Sequence, residues 1–326
     1  MNATSTSGPA DLRFYDIILA SISGGKDSQA TLDVIVEAAS AAGVLDRVWT
    51  VHADMGRAQW KGTTALAAEH ARHYGLSDRH RTVRRTGGDL IARILERGMF
   101  PGPKFRWCTS DFKRGPINKL ETALVTSARA SGVSDRPVRV LRVMGHRAQE
   151  GTGRSKLAPF VHEASKTCLC GPCRAASAAG TAPSRGASNS RRYVDTWLPI
   201  HAWTVEDVWR RIAAADTRVH EAYGLGMSRL SCMFCIFANR RDLETAVRAN
   251  PDAADELAAL ETATGHQFRA DLSIADFIDQ VRARRPRPGP LVNLRSNRSD
   301  NQLPRPRTPE IPSQGPRCDE GGKVCK

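Results

Sequence analysis

Apolar positions along this chain fall into short, β-branched runs separated by longer stretches with helical spacing. The run Phe14 to Ile22 is almost continuously apolar and ends at Gly24-Gly25, which suits a strand buried on both faces. Apolar residues then recur at Leu32, Ile35, Val36 and Ala39, predicting a helix over 27–42. The pattern continues as a strand over 47–53, a helix over 58–74, a short strand over 81–84, helices over 89–97 and 113–130, and a buried strand over 138–145. Strands and helices alternating in this way predict an α/β fold, a doubly wound and mostly parallel sheet.

From 151 to 192 the periodicity is lost and Ala, Ser, Gly and Arg dominate, which predicts an irregular insertion carrying Cys168, Cys170 and Cys173. Regular sequence resumes at Trp197-Leu198-Pro199-Ile200, with a helix over 205–215 capped by Thr204 and helices near 240–248 and 252–262. The expected division is a flexible N-terminus over 1–13, a main domain over 14–265, a helical end over 266–281 and a tail over 282–326.

Charge changes this picture at the tail. The formal net charge is +14, and nine Arg and two Lys against two Asp and two Glu between Arg282 and Lys326 supply half of it. Eight of the 18 prolines lie in the same stretch, so it reads as a disordered or loosely docked basic segment suited to polyanions. No apolar run approaches the roughly 20 residues that span a bilayer. Met1 to Asp11 is polar and lacks the basic-then-apolar order of a signal peptide, so a cytoplasmic protein without membrane contact is expected. Eight cysteines in such a chain point to metal or redox chemistry rather than a disulfide framework.

The strongest chemical signal is Ser23-Gly24-Gly25-Lys26-Asp27-Ser28, placed between the first strand and the first helix. Two glycines allow a turn whose successive N–H groups face a bound phosphate, the helix adds its positive end, and Lys26 adds a mobile cation. Asp27 and Ser28 fall where the helix starts, fitting a cap or an orienting role toward the loop or Mg²⁺. The spacing is neither that of a Walker loop nor that of a dinucleotide fingerprint.

This hexapeptide resembles the pyrophosphate (PP) loop of the adenine nucleotide α-hydrolase superfamily, whose fold is Rossmann-like. Further segments resemble its phosphoadenosine phosphosulfate (PAPS) reductase branch. They are Val51 to Gly56, Arg106-Trp107-Cys108-Thr109 with Lys113 and Pro116, Gly145-His146-Arg147 with Glu150 and Arg154, and Pro199 to Trp203 leading to Asp207-Val208-Trp209. The resemblance spans about residues 14–265 apart from the insertion. It implies nucleotide contacts from Ser23 to Ser28, Asp54, Gly145, Arg147 and Arg154, with Lys26, Asp27 and Arg147 catalytic. Asp54 and the two arginines also follow buried strands at the carboxyl edge of the sheet, where ligands of open α/β sheets bind. Trp203 and Trp209 read as core.

In relatives with an iron–sulfur cluster, ligands come from a cysteine after the third helix and from a later C-x-x-C, places held here by Cys108, Cys232 and Cys235. Cluster-binding sulfonucleotide reductases carry a tandem cysteine pair at the first place, whereas Thr109 follows Cys108. A four-iron cluster, zinc, and buried thiols without metal all suit these three. Two enzyme readings follow. One cleaves ATP to AMP and pyrophosphate, adenylating an acceptor for sulfur transfer, with a DNA or RNA acceptor and a sulfur donor such as a cysteine desulfurase as partners. The other reduces PAPS or adenosine phosphosulfate to sulfite. The Lys-Asp-Ser ending of the loop favours the first, and RWCT with SCMFC most resembles the ATP-pyrophosphatase component of DNA phosphorothioation systems. A nucleotide- or nucleic-acid-binding regulator without turnover is the third reading.

Overall fold

The computed structural model describes residues 8–9, 11–163 and 191–284. Six strands form one sheet: β1 (Ile17–Ser21), β2 (Val48–Asp54), β3 (His80–Arg84), β4 (Val138–Met144), β5 (Phe160–His162) and β6 (Arg192–Trp197). Their spatial order is β3-β2-β1-β4-β6-β5, and all pairs are parallel except β5 with β6. The fold is therefore the expected doubly wound, mostly parallel α/β sheet. Ile18, Leu19, Ala20, Val140, Leu141 and Val143 are fully buried, as strands covered by helices on both faces require.

The helices are α1 (Lys26–Ala41), α2 (Thr63–His73), α3 (Leu90–Arg97), α4 (Gly115–Ala130), α5 (Val205–Ala215), α6 (Arg240–Ala249), α7 (Pro251–Thr264) and α8 (Ile274–Ala283). Thr204 caps α5 as expected, accepting from the Asp207 N–H at 3.2 Å while the Asp207 carboxylate accepts from the Thr204 N–H at 2.9 Å. Trp203 and Trp209 pack against the Ala30, Ile200 and Val208 cluster. Helices α3, α6, α7 and α8 close a second core around Ile94, Phe100, Leu243, Leu257 and Phe277. Among the described residues no helix is long and apolar enough to cross a membrane.

Of the segment 151–192 expected to be irregular, the structure describes 151–163 and 191–192, and there it places a helical turn at Thr152–Ser155, edge strand β5 and the start of strand β6 at Arg192. These elements carry His, Arg, Tyr and Asp among few apolar residues, so no period of two is legible. Tertiary partners satisfy the polar groups. Asp195 accepts from the Tyr15 hydroxyl and meets His162 Nδ1 at 2.8 Å, and the wholly buried Glu121 of α4 pairs with Arg142 of β4 and Arg192 of β6. Cys168, Cys170, Cys173, Cys318 and Cys325, with the basic tail, lie outside the described residues.

Candidate functional site

Strands β2 and β4 flank β1, and the chain winds outward from β1 in opposite directions through them. The carboxyl ends of β1 and β4 therefore form the topological switch point, the crevice where such sheets take ligands. Ser21 pairs with Met144 in register at this end, so the loops 22–25 and 145–150 emerge side by side. Gly24 turns the first loop with φ of +72°, a conformation open to glycine. The Ser28 hydroxyl ties the turn closed, accepting from the Ser23 N–H at 3.0 Å and donating to the Gly25 carbonyl at 2.8 Å.

Helix α1 starts at Lys26 with Gly25 as its N-cap, so Asp27 sits inside the first turn rather than capping it. Both Asp27 oxygens face cations: Oδ2 lies 3.3 Å from Lys26 Nζ, and Oδ1 accepts from Arg147 Nε. Each oxygen of the Asp27 carboxylate thus faces a cation of the protein itself. Arg147 is 4% exposed, and its Nη1 also reaches Gln149 Oε1 at 2.8 Å and the Trp203 carbonyl at 3.4 Å. Among the described residues its Nη2 makes no hydrogen bond.

Gly145 explains how these two loops come together. A Cβ there would lie 2.7 Å from the Asp27 carbonyl oxygen and 2.8 Å from Thr31 Oγ1, the former fixed in the backbone of α1. Gly145→Ala is expected to push α1 from β4, destabilising the fold by about 1–3 kcal/mol. Urea unfolding checks this, and a wild-type midpoint would show that the two loops have slack.

Other expected contacts are placed differently. Asp54 ends β2, but its carboxylate is held by Arg84, by the Gly56 N–H at 2.8 Å and by Gln59 Nε2 at 3.1 Å. Burial pushes its pKa up, while Arg84 and the Gly56 N–H overcome this and hold it below the ordinary value. It orders the 56–59 turn instead of standing free for a nucleoside. Glu150 pairs with Arg154 and accepts from the Arg147 N–H at 3.1 Å, so it orients the Arg154 guanidinium and the loop.

Cys108, Cys232 and Cys235 line one cavity with Arg106, Lys113 and Arg154. The C-x-x-C turn is clamped to the loop after β2, with the Met233 N–H donating to the Ala58 carbonyl at 2.8 Å and Gln59 bridged to Cys232. Burial pushes the Cys232 thiol up to about 11 and raises that of Cys108, while Lys113 acts in the opposite direction on both. Among the described residues no group of three or more Cys, His, Asp or Glu side chains is arranged to hold a metal ion. The thiols are right in kind for iron–sulfur or zinc but are not grouped to hold either.

His146, in the loop after β4, has a buried Nδ1 that finds no hydrogen-bond partner among the described residues. Burial, reinforced by Arg154, drives its pKa down to about 4. An unfolded imidazole titrates near 6.5, so between about pH 6.5 and 4 the unfolded chain binds a proton that the folded one refuses. The stability from neutral His146 is complete above that window and is lost as pH falls through it, by about 1–3 kcal/mol. Urea midpoints at pH 7.5 and 5 should differ less in His146→Gln than in the wild type. An equal loss in both proteins contradicts this assignment.

Sequence reasoning missed Tyr223. Its hydroxyl accepts the Lys26 backbone N–H at 2.8 Å and its ring centroid lies 5.7 Å from Lys26 Nζ. A tyrosine at the end of a 3-10 turn 197 positions away gives no local signal of such a contact.

The sequence model of the phosphoadenosine phosphosulfate reductase domain matches residues 17–238, more than half of the chain. The chain belongs to this family. The match takes in the SGGKDS loop, Arg147 and all three cavity cysteines and ends before α6. Solved structures similar to it include the phosphoadenylyl-sulfate (PAPS) reductase from Candida auris in complex with phosphate, at 13% identity and a TM-score of 0.41, covering 68% of this chain and 83% of that one. Another is the U34-tRNA thiolase NcsA from Methanococcus maripaludis with its 4Fe-4S cluster, at 11% identity and a TM-score of 0.37, covering 84% of each chain. No curated protein matches the chain.

Proposed function

We propose that this protein is a PP-loop enzyme that cleaves ATP, bound as its Mg²⁺ complex, to AMP and pyrophosphate, adenylating a nucleic-acid acceptor for sulfur transfer. The observation that carries this reading is the complete SGGKDS loop at the switch point, with Lys26 and Arg147 held on the two oxygens of Asp27. An acceptor oxygen forms its bond to the α-phosphorus as the bond to the bridging oxygen breaks, and the electron pair leaves with pyrophosphate. Charge grows on that leaving group, so preorganised donors aimed at it lower the barrier. The loop N–H groups and Lys26 meet the β- and γ-phosphates, and Arg147 Nη2 reaches toward the α-phosphate. Asp27 keeps both cations in place. The basic cavity mouth, with Arg106, Lys113 and Arg154, suits a polyanionic acceptor, and the three thiols there suit sulfur chemistry.

The family match favours one competing reading, reduction of PAPS to sulfite. Anaerobic incubation with Mg²⁺ and either ATP or PAPS, following pyrophosphate, AMP and sulfite, separates the two. Pyrophosphate from ATP without sulfite from PAPS is expected. Thioredoxin-dependent sulfite would instead make the protein a reductase.

A further inference from the structure

The phosphate loop is covered by the protein's own chain. Lys26 is 3% exposed, and its ammonium donates to the Ser228 carbonyl at 3.1 Å. Its backbone N–H, at the start of α1, is taken by the Tyr223 hydroxyl. Leu230 lies over the two glycines, its Cβ 3.3 Å and its carbonyl oxygen 3.5 Å from where a Cβ on Gly25 would stand. Three donors or faces that a polyphosphate needs are thus engaged by one segment, Tyr223 to Leu230. Its carbonyl oxygens at 228 and 230 would also repel an incoming anion.

We propose that Tyr223 to Leu230 is a strap that holds the loop closed and lifts when the polyphosphate of a nucleotide enters. The proposal rests on the ATP-cleaving reading above. The closed strap is tied to the rest of the protein at two points. Tyr223 packs edge-on against Trp209 at 5.1 Å between ring centroids, and buried Asp242 of α6 holds Ser228 through its N–H at 2.8 Å and its hydroxyl at 2.7 Å. Between the anchors stand Gly224 and Gly226, the latter at φ of +98°, with Leu225 largely exposed. On opening, Lys26 exchanges a neutral carbonyl for charged phosphate oxygens, and such charge-assisted bonds are the stronger. That difference is the differential affinity a ligand needs to shift a two-state element. The closed strap also buries Lys26 and the two glycines, while Ser23 stays exposed.

Hydrogen–deuterium exchange on the full chain tests this, with inorganic pyrophosphate and Mg²⁺-ATP as separate probes. Residues 23–28 should exchange more slowly with either probe, while 223–231 exchange at least several-fold faster. Slowing at 23–28 with no change, or a slowing, at 223–231 overturns the strap while leaving the nucleotide reading intact. No slowing at 23–28 removes the nucleotide reading and the strap with it. Tyr223→Phe keeps the ring and loses only the hydroxyl that competes for the Lys26 N–H. It should bind Mg²⁺-ATP about three- to tenfold more tightly, the worth of one neutral hydrogen bond. Equal or weaker binding overturns the closing role of the hydroxyl.

Discussion

Replacing Lys26 with alanine should lower pyrophosphate release from ATP by about 10²–10³-fold, the loss found when one preorganised donor to developing charge is removed. The fold should survive. Asp27 keeps its bond from Arg147, and the Lys26 backbone N–H keeps its acceptor on Tyr223. What disappears is the ammonium, with its contacts to Asp27 and the Ser228 carbonyl. Because that cation meets charge that grows as pyrophosphate departs, the loss should fall mainly on kcat, with KM changing much less. Lys26→Arg should not restore turnover, since a planar fork cannot replace a compact ammonium in so enclosed a place. Initial rates of pyrophosphate formation, with unfolding midpoints as a control, decide the matter. A folded Lys26→Ala protein within about tenfold of wild type would remove Lys26 from the leaving-group site, since even one lost donor should exceed that.

The parts of this site legible in the sequence are those whose geometry is local. A buried strand, a Gly-Gly turn and a helix start within twelve residues of one another fix the phosphate loop, and β1 and α1 follow the apolar pattern closely. The C-x-x-C is likewise a local motif, though the turn that carries it is seen only in the structure. What could not be read is what arrives from afar. Strands β5 and β6 hold their polar residues through Tyr15 and Glu121, partners on other elements, so their composition looked like loop. Asp54 was expected to face a nucleoside, yet Arg84, one strand away in register, claims its carboxylate. Arg147 follows its strand at the expected edge, but the partner that fixes its guanidinium is Asp27, on a distant segment at the start of α1. In each case a long-range partner decided how a correctly placed residue is used.

That burial makes Arg147 the more demanding test of the site. Arg147→Ala would leave the Trp203 carbonyl and Gln149, which also accepts the Val205 N–H at the start of α5, without their shared donor. Asp27 would keep a single cation. Breaking a buried pair in this way should destabilise the fold by about 3–5 kcal/mol, beyond the transfer of one side chain. Arg147→Lys separates structure from chemistry. It keeps a charge within reach of Asp27 but loses the fork that serves Asp27, Gln149 and Trp203 together and leaves Nη2 unbonded among the described residues. Its unfolding midpoint should recover most of the loss, while pyrophosphate release should stay reduced by about 10²-fold, because one transition-state donor is still missing. A lysine variant with both stability and turnover restored would show that Arg147 acts only as a positive charge for Asp27. A variant with turnover restored but stability lost would place the guanidinium in the architecture alone.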